Sequence, residues 1–206
     1  MRSLIIVLTG TLMLSCAADH SSAFLDTSDK TTGNTTGEEV TEDVTGDPID
    51  DGPDDWIVEG TGFCDIAQNQ VYVRKVKDGD TIELKQLVDG SNTVRYIGVD
   101  ASEIFKDECY SAEAKNALTA LIPEGKPLCL KPDSEQENKD MYGRLLRYVY
   151  MHDGKRWVQQ NARLVRMGDA RAYHKFLKGM DFQWEILDAE NKAYKENRGG
   201  WSDCDW

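Results

Sequence analysis

"QVYVRKVKDGDTIELKQLVDGSNTVRYIGVD", residues 70–100, decides how the folded part of this chain is read. Val71 and Val73 alternate with polar residues, and Asp78-Gly79 then turns the chain. Ile82 and Leu84 alternate next, residues 88–92 ("VDGSN") turn it again, and the run from Val94 to Val99 is largely apolar. Period-two alternation interrupted by Gly-containing turns predicts three strands in a meander.

Downstream, Ala114, Ala117, Leu118, Leu121 and Ile122 recur at helical spacing, with Ser111 as the expected N-cap and Pro123 and Gly125 as stops. "PLCLK" (127–131), "GRLLRYVYM" (143–151) and "KRWVQ" (155–159) read as strands, the last two joined by a turn at His152-Asp153-Gly154. "QNARLVRMG" (160–168) predicts a short helix ending at Gly168. "FQWEILDAENKAYKEN" (182–197) predicts a longer amphipathic one, with Trp184, Leu187 and Tyr194 as its packing face. Three strands, a helix, further strands, then helices: this order predicts an α+β fold. It suits a five-stranded OB-fold-like β-barrel with about three packed helices.

The first 55 residues have a different character. "MRSLIIVLTGTLMLSC" has a basic start and an apolar run too short to cross a bilayer comfortably, followed by Ser15 and Cys16. The expectation is a lipoprotein signal peptide over residues 1–15, cleaved before a lipidated Cys16, with an ordinary secretory signal as the competing reading. Residues 17–55 hold twelve acidic side chains against one Lys and almost no large apolar residue. A segment so composed cannot bury enough surface to fold, so residues 16–55 are expected to be a disordered acidic linker. As a flexible coil it would reach about 35 Å. Of the net charge of −13, this segment and Arg2 leave only −3 for residues 56–206, the expected single functional domain.

Four cysteines remain in an exported domain, which predicts two disulfides with three possible pairings. The expected ones are Cys64 with Cys204, fastening the two ends of the domain, and Cys109 with Cys129. A zinc site is disfavoured because there is no Cys-x-x-Cys and no ligand-spaced histidine pair.

Charged residues are concentrated where strands should end. Asp80 follows the first turn, Arg95 lies in the third strand with Asp100 and Glu103 beyond it, and Arg144 opens a later strand. In a meander, the start of the second strand and the end of the third can be neighbours, so Asp80 and Asp100 can converge. Two carboxylates with carbonyls and water suit a hard cation such as Ca2+. Glu103 could orient a water, and two guanidiniums would grip a phosphate through planar, bidentate donors. Phosphodiester hydrolysis requires this combination, because negative charge builds on phosphoryl oxygens in the transition state.

These residues lie within motifs that together resemble the staphylococcal nuclease-like, or thermonuclease, domains. The motifs are "DGDT" (78–81), "VRYIGVDASE" (94–103), "SAEA" (111–114), "MYGRLLRYVY" (141–150), "ARLVRMGDA" (162–170) and "GGWS" (199–202), in order over residues 70–202. The resemblance implies Asp80 and Asp100 as Ca2+ ligands, with the backbone carbonyl of Ala101. It implies Glu103 as general base or water-orienter, Arg95 and Arg144 as phosphate-contacting catalytic arginines, and Tyr142 on the phosphate side. Tyr173, or Phe176, falls where a base would stack. The implied activity is calcium-dependent endonucleolytic hydrolysis of DNA and/or RNA leaving a 3′-phosphate; with the leader read above, the expectation is a monomer held outside the cytoplasm on a membrane through Cys16. A catalytically inactive nucleic-acid-binding barrel is the alternative, and a small-molecule phosphatase a third. Two departures stand out: Ala101-Ser102 where Thr-Pro is usual, and Asp169 where an apolar residue is usual. A domain of net −3 that binds a polyanion also needs a local basic patch. Lys75, Lys77, Arg144, Arg147, Arg163 and Arg166 are the candidates.

Overall fold

The computed structural model describes residues 62–206, so the signal peptide, Cys16 and the acidic linker lie outside the described residues. Strands β1 (Gln70–Val76), β2 (Thr81–Val88) and β3 (Ser91–Tyr96) form the expected antiparallel meander. β1 then pairs with β5 (Pro127–Lys131), and β5 with β6 (Leu145–His152), both antiparallel. A parallel pairing of β3 with β6 closes the five strands into a barrel. Closure leaves no free edge among those five, which removes a template for aggregation. The short β7 (Trp157–Gln159) extends β6 outside the barrel.

The alternating residues of the barrel strands point inward as their periodicity requires: Val71, Val73, Ile82, Leu84, Val94, Leu128, Leu130 and Leu145 are all buried. Helix α1 (Ser111–Leu121) adds Ala114, Leu118 and Leu121 to this core. Ser111 is the first helical residue rather than the cap. Tyr110 occupies the cap position in a left-handed conformation (φ 68°) and makes no side-chain capping bond. Helix α2 (Gln160–Met167) ends at Gly168, as its sequence indicates.

The third strand is shorter than its apolar run. It stops at Tyr96, and Val99–Asp100 forms a separate two-residue strand, β4, paired with β8 (Arg171–Ala172). The break falls at Gly98, whose φ is +73°. That backbone conformation strains any residue with a side chain, and a Cβ there would also crowd the Ile186 and Leu177 Cδ1 methyls, at 2.7 Å and 2.8 Å.

After the one-turn α3 (His174–Leu177), helix α4 (Gln183–Lys195) packs on α2 through a different face from the one its large residues suggest. Ile186, Ala189 and Ala193 are buried, whereas Trp184 is 74% exposed and Tyr194 63% exposed; Leu187 is partly buried against the core. The i, i+3, i+7 stripe with two alanines admits α2 closely, and the bulky aromatics have no room there. A final turn, α5 (Gly200–Asp203), leads to Trp206, which meets Tyr110 and Trp201 edge to face.

Two disulfides form, with pairings other than those expected. Cys64 bonds Cys129 (Cα–Cα 5.4 Å) and Cys109 bonds Cys204 (Cα–Cα 6.0 Å). The β1–β5 register sets Gln70 opposite Cys129, which carries the segment around Cys64 to β5. The packing of Trp206 on Tyr110 brings Cys204 to Cys109. Each bridge therefore ties one end of the domain to its body instead of tying the ends together.

Candidate active site cleft

Backbone register assembles the site. Thr81 on β2 stands opposite Arg95 on β3, and Tyr96 N–H donates to Asp80 O at 2.9 Å, so Asp80 lies beside Arg95 although it is fifteen positions earlier in the chain. Arg95 on β3 faces Leu146 on β6. Arg144 immediately precedes β6, at the end of the Gly143 turn, next to the point where β3 and β6 pair. Arg95 and Arg144 both line one cleft of about 530 Å³, together with Tyr142, Tyr173, Phe176 and Lys175.

Asp80 is the buried element. Its Oδ2 accepts the Ala101 backbone N–H at 2.9 Å and ion-pairs with Arg95, and its Oδ1 accepts the Thr81 hydroxyl at 2.9 Å. Close packing at Gly79 makes this possible: a Cβ there would come within 2.6 Å of Ala101 Cβ and 2.8 Å of Ala114 Cβ. Burial pushes the Asp80 carboxyl up to about 7, against the opposing pull of Arg95, while the neighbouring Asp78 adds to the rise. Asp100 is half-exposed and meets Arg95 at 3.5 Å from one side and Arg171 at 3.8 Å from the other. One guanidinium thus spans the two carboxylates.

The structure brings Asp80, Arg95, Asp100 and Ala101 into contact or near-contact, and sets Arg144, Tyr142 and Tyr173 around the cleft that Arg95 enters. Arg144 Nε donates to Asp140 Oδ2 at 2.6 Å, and its guanidinium lies 5.5 Å from the Tyr142 ring centre. Tyr173 stands 5.9 Å from the Arg95 guanidinium and meets Phe176 edge to face, so both aromatics sit on the cleft wall. Glu103, two residues beyond Ala101, makes its own contacts. Its half-exposed carboxylate pairs with Lys106 at 2.8 Å, and its backbone N–H donates to Glu108 at 2.8 Å.

As a cation site the donors fit in kind. Two oxygen-bearing carboxylates share one guanidinium, and one of them is so deeply buried that its charge is costly without more positive partners. Among the described residues, no group of three or more His, Cys, Asp or Glu is arranged to hold a metal ion, so any further ligands would be backbone oxygens or water.

The family model described as staphylococcal nuclease homologue matches residues 93–203, more than half of the chain. The chain belongs to this family. Its relatives include a thermonuclease of Staphylococcus hyicus, 34% identical over 66% of this chain and 78% of that protein. An uncharacterized endonuclease of Escherichia coli O157:H7 is 33% identical over 65% of this chain and 77% of its own length. Endonuclease YhcR of Bacillus subtilis is 30% identical over 65% of this chain, but the match spans only 11% of that much longer relative. The five-stranded barrel with packed helices is consistent with the staphylococcal nuclease fold.

Sequence reasoning passed over Asp140, whose Oδ1 also accepts the N–H groups of Tyr142 and Arg144 at 2.9 Å each. An acidic residue just before a Gly turn, in "DMYG", was the available signal. Of the expected basic patch only Arg144 lines the cleft. Arg147 and Arg166 are buried in ion pairs with Asp89 (2.9 Å) and Glu196 (2.8 Å), and Lys75 pairs with Glu83 (3.6 Å). Lys139 and Lys175, unmarked by sequence reasoning, line it instead.

Proposed function

We propose that this protein is a calcium-dependent phosphodiesterase that cleaves DNA and/or RNA outside the cytoplasm. The observation that carries the reading is that Arg95 and Arg144 converge on one aromatic-walled cleft while Asp80 and Asp100 share Arg95. Membership of a family whose relatives include proteins named thermonuclease and endonuclease supports it.

In this reading the cleft receives one nucleotide flanking the scissile bond, its base against Tyr173 or Phe176. Arg95 and Arg144 donate to the phosphoryl oxygens, where charge rises as the bond breaks, and such preset donors are worth several kcal/mol of barrier, about 3 each. Asp140 holds Arg144 to that direction. Glu103 exchanges Lys106 for the attacking water and takes its proton as the water oxygen bonds to phosphorus; the phosphorus–O5′ bond breaks, O5′ takes up a proton from solvent, and the products carry a 3′-phosphate and a 5′-hydroxyl. Asp80, Asp100 and the Ala101 carbonyl would hold Ca2+, which supplies additional positive charge opposite the phosphate when bound. The protein acts as a monomer, anchored to a membrane through lipid on Cys16, a reading supported by the apolar leader and by Ser15-Cys16.

Digestion of plasmid DNA and of RNA, with calcium and with chelator, tests the activity. Cleavage that calcium supports and chelator abolishes is expected, and no cleavage under any divalent cation refutes it. Metabolic labelling with palmitate tests the anchor: label should enter the parent protein and not Cys16→Ser, and equal labelling of both rejects it.

A further inference from the structure

Arg147 sits in β6 with only 3% of its surface exposed, in a barrel wall where an apolar side chain would be cheaper to bury. Its guanidinium is spent on neighbouring segments. Nη1 donates to the carbonyls of Asn138 (3.1 Å) and Leu146 (2.7 Å), and Nη2 to Asp89 Oδ2 (2.9 Å) and Asn138 Oδ1 (2.5 Å). Asn138 Nδ2 in turn donates to Asp89 Oδ2 at 3.2 Å, and Leu146 N–H to Asn138 O at 3.1 Å. One buried cation thus joins β6, the turn between β2 and β3, and the segment 132–144. That segment forms much of the cleft wall, and two residues beyond Asn138 stands Asp140, the partner of Arg144.

We infer that Arg147 is a positioning residue for phosphate binding: through Asn138 and Asp89 it fixes the segment on which Asp140 aims Arg144. This rests on the phosphodiesterase reading of the cleft. The side chain touches no reacting atom, and it is absent from the residues lining the cleft. Its effect passes by the order Arg147, Asn138, Asp140, Arg144. Lysine keeps the charge but lacks the planar fork that engages Asn138 and Asp89 together.

The test compares Arg147→Leu, Arg147→Lys and the milder Asp89→Asn with the parent. The control is Arg166→Leu, which loses a buried guanidinium paired with Glu196 outside the cleft. The readouts are kcat and KM on an oligonucleotide, thermal stability, and amide exchange of residues 138–143 without substrate. Arg147→Leu should lower kcat by about 10²-fold, because displacing a transition-state donor by an ångström has that effect. KM should change less, exchange in 138–143 should quicken, and Arg147→Lys and Asp89→Asn should fall between. A folded Arg147→Leu with parental kcat and parental exchange overturns the inference. So does an equal kcat loss in Arg166→Leu at matched stability, since that would reflect loosening of the whole domain. A parent that cleaves nothing overturns the phosphodiesterase reading instead, and the exchange comparison then decides whether Arg147 orders the segment.

Discussion

Asp169 gives a stability prediction whose size can be worked out. It is buried where a charge is expensive: its Oδ1 accepts the Tyr110 hydroxyl at 3.2 Å, and its Oδ2 has no hydrogen-bond partner. Burial raises its pKa from 3.8 to about 6, with the Tyr110 hydrogen bond opposing. The folded state therefore holds this proton more tightly than the unfolded chain does. Below the unfolded value both states are protonated and no penalty applies. As pH rises through the window from 3.8 to about 6, the unfolded chain ionises first and stability falls. Above the window the loss is complete, at about 3 kcal/mol from 1.36 kcal/mol per unit. That is a large share of a domain's ordinary stability of roughly 5–15 kcal/mol.

Asp169→Asn keeps an acceptor for Tyr110 and cannot ionise. Replacing the acid has a pH-independent cost, because the new amide N–H groups must find partners, but this cancels when one variant is compared with the parent at two pH values. Denaturant unfolding of both proteins at about pH 3.5 and about pH 7 should show the stability difference moving in the variant's favour by about 3 kcal/mol. A difference that stays constant between the two conditions would refute the reasoning, since a carboxyl solvated in the folded state would carry no such penalty.

Three further outcomes are expected. Removing the Cys109–Cys204 bridge with paired Ser substitutions should lower stability by about 4 kcal/mol, because it closes a long loop, and denaturant unfolding reads this directly. Ile186→Ala should lower stability by about 2–5 kcal/mol, whereas Trp184→Ala should change it by less than about 0.5 kcal/mol, in the same assay. Asp140→Asn should reduce turnover on an oligonucleotide while leaving the melting temperature near the parent's, since it weakens the hold on Arg144 at a partly exposed loop.

The meander and α1 were legible because burial there follows local periodicity: Val71, Val73, Ile82 and Leu84 alternate, and Leu118 and Leu121 share a helical face. The packing face of α4 was not, because the largest side chains, Trp184 and Tyr194, face solvent and two alanines make the contact. Hydrophobicity ranks residues by size, whereas the close approach of α2 selects for smallness. The end of β3 at Gly98 was not legible either: the turn there has a positive φ, and the space beside it is bounded by Ile186 and Leu177, which lie far along the chain. Disulfide pairing depends on which segments meet in space, and spacing in sequence does not carry that. Within the site, Asp80 and Arg95 could be assembled in advance because a hairpin register relates them, and Asp100 because it follows the third strand closely. Arg147 could not, since a buried cation that organises a loop reads in sequence like any basic residue on a strand.

The central claim is that Arg144 stabilises charge on a phosphate held in the cleft beside Arg95. Its most direct test is the single-turnover cleavage rate of Arg144→Ala on a single-stranded oligonucleotide with saturating calcium, in protein shown by circular dichroism to be folded. The account predicts a rate lower than the parent's by about 10²–10³-fold. A rate equal to the parent's would contradict it.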